Sequence, residues 1–128
     1  MHFINSNSRL HSQFLYGAYG WLMLSAFLHF GIDVVSQYLR GKRPRGPAAT
    51  LYYGLNSTYA VSQVLFAALA LLAIRQGITS MGRWPEITLG LLAACAWFGL
   101  CWKFYEYSQP RMAVLLFAAL LVGAALTA

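Results

Sequence analysis

Long apolar runs alternate with short polar breaks along this chain. A membrane-spanning helix needs roughly 20 mostly apolar residues. Four stretches meet that requirement, at about residues 14–39, 51–74, 85–107 and 112–128. The pattern predicts an all-α integral membrane protein, with residues 1–128 forming one domain built as a four-transmembrane-helix bundle with short loops.

The breaks between the runs are chemically marked. Arg40-Gly41-Lys42-Arg43-Pro44-Arg45-Gly46-Pro47 is a basic turn that cannot continue a helix. Residues 76–83 contain Gly77, Thr79, Ser80 and Gly82. Pro85 suits the first turn of a helix and Glu86 beside it complements the helix dipole; Pro110 opens the fourth run in the same way.

Composition agrees with the pattern. The chain is 59% hydrophobic and only 9% charged, against about 25% charged in an ordinary soluble domain. The net charge of +6 does not point to nucleic acid, because most of the basic residues stand in short loops between apolar runs. There they set orientation and can meet anionic lipid headgroups. Arg40, Lys42, Arg43 and Arg45 are the expected headgroup contacts.

Arg40, Lys42, Arg43, Arg45, Lys103 and Arg111 lie on one side, and Arg9, Arg75 and Arg83 on the other. The positive-inside rule therefore places loops one and three in the cytoplasm and both termini outside. The expected location is a plasma membrane of the bacterial inner-membrane type. The polar stretch Met1–Gln13 lacks the basic region, apolar core and small-residue cleavage site of a signal peptide, so the first helix is expected to direct insertion and stay in place.

Ionisable residues inside an apolar span are costly and tend to be functional, and the first run contains two of them. Ser25, His29, Asp33, Ser36 and Gln37 follow at helical spacing and form a polar stripe. The second run, antiparallel to the first across a short turn, has a matching stripe of Tyr52, Asn56, Tyr59 and Gln63. Depth counting sets Asn56 level with Asp33, Tyr59 near His29 and Gln63 near Ser25. The expected binding seam is His29, Asp33, Asn56, Tyr59 and Gln63. Low-dielectric surroundings disfavour both charged forms, so His29 and Asp33 are expected to be neutral or to share a proton.

Other chemistry is thin. One histidine and one carboxylate fall short of the three or four ligands of zinc, so no metal is expected, and nothing in the sequence names a cofactor. His2 and His11 lie in the outer tail, where solvation is the simpler reading than a shared metal. Cys95 and Cys101, six apart on one helix, do not share a face and are expected to be unbridged packing residues. Lys103 and Glu106 are expected to pair at the interface. Ser57, Thr58 and Ser62, and on the simpler reading Asn56 and Gln63 of the seam as well, are structural hydrogen-bonding groups that hold the helices together.

Segment four is rich in Ala and Leu, with Gly123, and Gly17, Gly20, Gly90 and Ala94 offer further close-contact faces. A homo-oligomer, or a small-subunit role, is expected from these faces and from the small interior. The leading expectation is transport or conduction of a proton, cation or small polar solute along the seam; the alternatives are a membrane enzyme or lipid- or quinone-binding protein acting on an apolar substrate at the cytoplasmic leaflet, and a structural or accessory subunit.

Overall fold

The computed structural model describes residues 2–76, 84–105 and 108–127, with only the backbone at 2–5, 7 and 84. The described residues form four long helices and no strand. The first helix runs over 2–39 in three stretches: His2–His29 is α-helical, Phe30–Ser36 continues as a π-helix, and Gln37–Leu39 returns to α geometry. The second helix is Pro47–Arg75, the third Trp84–Phe104 and the fourth Gln109–Leu126. Each contains a stretch long and apolar enough to cross a membrane.

The ends follow backbone chemistry. Gly41 ends the first helix at φ 60°, in the left-handed region that glycine enters without steric cost. Its N–H bonds to the Tyr38 carbonyl at 3.2 Å and that of Lys42 to Gln37 at 3.2 Å, which is the Schellman arrangement that satisfies terminal carbonyls. Proline stands in the first turn of the second and fourth helices, where its missing N–H has no helical partner to lose. At the end of the third helix, Arg111 donates to the Tyr105 carbonyl at 2.8 Å and stacks on Trp102 at 4.8 Å.

The first helix starts at His2, well before the apolar run. Backbone bonding needs no apolar pattern, and tertiary contact holds this polar turn in place. The His11 ring donates through Nδ1 to the Ala124 carbonyl at 2.7 Å, one of the last carbonyls of the fourth helix, which also accepts from the Thr127 hydroxyl at 3.1 Å. Both termini therefore lie on one side of the bundle, and the 40–46 turn lies on the other. The suggested metal pairing of His2 with His11 and the Lys103–Glu106 pair involve side chains outside the described residues. The same is true of Arg83 and of the Trp84 ring.

The first helix packs on the second and fourth, and the fourth also packs on the third. The second and third meet through side chains, such as Phe66 against Trp97 at 5.6 Å. Towards the termini the interior is closed by Leu15, Tyr19, Leu22, Phe117, Leu121 and Ala124. Tyr19 centres this core, 5.6 Å from Phe117 and 6.0 Å from Phe66. Outside it, all four helices turn large apolar side chains outward, among them Leu24, Leu65, Leu89 and Leu115. Such an apolar surface belongs in lipid, and the chain is an integral membrane protein with four spanning-length helices.

Two glycines are spent on packing within the chain. A β-carbon on Gly90 would stand 2.8 Å from Leu121 Cδ1 and 3.2 Å from the Tyr19 hydroxyl, and one on Gly123 would stand 2.7 Å from the Phe14 ring. Gly17 and Gly20 have nothing within 4 Å. Gly90→Val is expected to destabilise the bundle by about 1–3 kcal/mol through overpacking, read as a lowered unfolding midpoint in mild detergent. Gly17→Val has open space and should leave that midpoint far less changed.

Candidate functional site

His29 is the hub. Its Nδ1 lies 2.9 Å from Asp33 Oδ2, and its Nε2 lies 3.0 Å from Asn56 Oδ1 on the second helix. Asn56 is 1% exposed, and its Nδ2 donates to the Tyr52 carbonyl one turn back at 2.9 Å. That bond turns the amide so that its oxygen faces the imidazole. Depth counting paired Asn56 with Asp33; in the structure Asn56 reaches His29 instead, about one helical turn deeper.

The partners decide where hydrogens sit. Nε2 faces an acceptor, so it carries a hydrogen and donates to Asn56 Oδ1. Nδ1 faces a carboxylate, so a second proton lies between His29 and Asp33. Either the imidazole holds it and the carboxylate is ionised, or Asp33 holds it and donates to Nδ1. Both arrangements have no net charge. Without that proton, a ring lone pair and a carboxylate would oppose each other across 2.9 Å. The geometry suits one proton held between the two side chains.

Aromatic rings close the histidine in. Tyr59 lies 5.3 Å from its ring and Tyr105 lies 5.6 Å away, both edge-to-face, and the two tyrosines are 5.4 Å apart. The Tyr59 hydroxyl and the Cys101 thiol are 3.0 Å apart and either can donate. Cys95 and Cys101 are both free, one exposed and the other buried.

The π-helical stretch explains why a four-residue stripe faces one way. In an α-helix of 3.6 residues per turn, each four-residue step overshoots a full turn by about 40°. Ser25 and Gln37 would then point about 120° apart. The wider turns of Phe30–Ser36 absorb this drift. Ser25, His29, Asp33 and Gln37 all line one cavity of about 540 Å³. π-helical turns are rare and concentrate at functional sites.

The cavity lies between the first helix, the second helix and the start of the fourth. Gln63 and Tyr59 line it from the second helix, and Gln109, Pro110 and Ala113 from the fourth. Trp21 stands at its termini-side end, its indole N–H donating to the Ala113 carbonyl at 2.9 Å. Leu28 and Ile32 form part of the lining while being 52% and 62% exposed on the outer surface. The cavity therefore opens sideways, towards lipid. Gln63 is 3% exposed; its Nε2 makes no hydrogen bond of standard geometry, although the side chain is close enough to the Tyr59 hydroxyl to interact with it.

Of the expected seam, the structure brings His29, Asp33, Asn56 and Tyr59 together, with Gln63 on the same cavity. Ser62 and Thr58 bond to carbonyls of their own helix at 2.8 Å each. Arg40, Lys42, Arg43 and Arg45 are exposed on the adjoining turn, with Arg43 stacked 3.5 Å over the Tyr52 ring. The sequence pattern gave no site role to Tyr105, Trp21 or Gln109, and Cys101 read as a packing residue. Only the polar stripe spacing on the first two helices signalled the site; Tyr105, Cys101 and Gln109 lie on or beside other helices, and Trp21, in phase four residues before Ser25, carries a largely apolar ring.

Comparison with protein-family models, with characterised proteins and with solved structures gives no match. The fold and site define an integral membrane four-helix bundle with a His–Asp pair at a cavity that opens to the outer apolar surface.

Proposed function

We propose that this protein takes an amphipathic molecule from the bilayer into the cavity between its first and fourth helices. Asp33 exchanges a proton with, or in response to, the polar part of that molecule. His29 is the proton store, held in one tautomer by Asn56. The carrying observation is that the carboxylate lines a cavity whose lips, Leu28 and Ile32, face lipid. This reading belongs to the lipid-binding or membrane-enzyme class. Conduction along the seam has less support, because the polar lining stops near Ser25 and Trp21. Beyond them lies the packed core of Leu15, Tyr19, Leu22, Phe117 and Leu121.

The test is native mass spectrometry of protein released from mild detergent, for wild type and Asp33→Asn. Wild type is expected to retain a small amphipathic molecule from the membrane. Asp33→Asn keeps the shape but removes the exchangeable proton, and should retain at least about tenfold less, equivalent to ~1.4 kcal/mol. Equal retention by the two proteins would remove Asp33 from the site. In liposomes, a proton flux that depends on Asp33 would replace this reading with conduction.

A further inference from the structure

We propose that the cavity takes a lipophilic organic cation, an ammonium head on an apolar tail, in exchange for the proton shared by His29 and Asp33. This inference rests on the reading of the cavity as an amphiphile site and names the ligand class.

The argument is one of charge and partners. With its proton in place the pair is neutral. Once the proton leaves, the pair carries one negative charge, shared between the Asp33 carboxylate and a Nδ1 lone pair 2.9 Å away. Nε2 cannot relieve this, because its hydrogen is committed to Asn56 Oδ1 and the amide is committed to the Tyr52 carbonyl. A positive charge must arrive from the cavity. Among the described residues no Lys or Arg lines that cavity; besides the pair, its polar lining is Ser25, Gln37, Tyr59, Gln63 and Gln109. The described lining therefore supplies no substitute cation, and a ligand can.

The other titratable groups do not fill that role. Tyr59 faces His29 from the second helix and Tyr105 from the third, with Cys101 behind Tyr59. All three are neutral or acidic groups. Arg111 of the fourth helix is turned to the Tyr105 carbonyl. An ammonium head fits the remaining chemistry. It supplies charge to Asp33, and Tyr59 lines the cavity with a ring that cations favour. Its tail follows Leu28 and Ile32 into lipid. An anionic head would meet a carboxylate and no cation, and a neutral alcohol has no charge with which to displace the proton. The exchange balances: one cation enters, one proton leaves to water, and no bond other than the proton's is broken.

The experiment uses the full chain in lipid nanodiscs. The probes are dodecyltrimethylammonium, whose charge does not titrate, and dodecanol, which has the same tail. Occupancy is read by native mass spectrometry, and protons by an indicator in weakly buffered solution, with empty nanodiscs subtracted. The ammonium is expected to release about one proton per bound cation and dodecanol none. The apparent Kd for the cation should fall by up to about tenfold per pH unit of rise while the pair still holds its proton. Asp33→Asn should abolish the release; where that variant folds poorly, a folded His29→Gln serves as the second variant and should lower the release at a given pH. Binding of both probes without proton release overturns the exchange and leaves the amphiphile reading standing. Binding of neither overturns that reading as well.

Discussion

Replacing Asn56 by leucine is expected to cost the bundle roughly 1–2 kcal/mol and to free the His29 tautomer. The magnitude lies between two limits. A buried donor left without a partner costs about 1–3 kcal/mol in water-soluble proteins. Polar pairs between membrane helices average about 0.6 and reach about 1.7 kcal/mol. Asn56 should sit near the upper end of the membrane range, because His29 Nε2 loses its only acceptor while Nδ1 stays bound to Asp33. Leucine has a similar volume, so little of the loss comes from a cavity. Nitrogen-15 spectra of histidine-labelled protein would separate tautomer control from mere packing. In wild type the His29 Nε2 should carry a hydrogen, while Nδ1 shows the signature of a strong bond to a carboxylate. In Asn56→Leu the Nε2 signal should shift and begin to respond to pH. A variant that loses stability with an unchanged spectrum would show that Asn56 only packs.

The second large effect is expected from Phe117→Ala, at roughly 2 kcal/mol. Phe117 is fully buried, 5.6 Å from Tyr19 and 6.2 Å from Trp97. In a water-soluble core such a truncation costs about 3–5 kcal/mol, part of it transfer to water and part the cavity left behind. In a membrane the transfer part largely disappears, since a separated helix still buries its apolar face in lipid. The packing part remains. Steric-trap or denaturant unfolding in bicelles would measure it. A cost near zero would mean that lipid or a repacked Trp97 fills the space. Lipid-facing Leu115→Ala, by the same argument, should change stability much less.

The two variants probe different layers of the same helix contacts. Phe117 belongs to the apolar core that closes the termini side of the bundle. Asn56 belongs to the polar layer nearer the 40–46 turn. The closed core gives the cavity its inner end, at Trp21, and so confines the proton-bearing pair to one side of the protein. Stability and site are thus coupled through the first helix, which contributes to both.

Much of this was legible in the chain. Four apolar runs give four helices, because a backbone in lipid must satisfy its hydrogen bonds within each segment. Turn chemistry at Gly41 and prolines at 47, 85 and 110 mark the breaks. His29 and Asp33 stood out because ionisable groups are expensive in an apolar span. The stripe on the second helix pointed to Asn56, Tyr59 and Gln63, because antiparallel neighbours bring periodic polar residues face to face. The helical start at His2 was not legible, since no apolar pattern marks it; further in, His11 is tied to Ala124, far along the chain.

What the sequence by itself determined is the all-helical membrane architecture and the identity of the polar pair, both of which follow from local periodicity and the cost of burial. The tertiary structure alone decided the one-turn offset that gives Asn56 to His29, the tyrosine cage completed by Tyr105, and the cavity completed by the fourth helix. Those depend on how helices rotate and slide against one another. The widened turns of Phe30–Ser36 changed that rotation in a way that no 3.6-residue pattern encodes. Helix phase is set by packing across the bundle, and so is the direction in which a proton-bearing carboxylate faces.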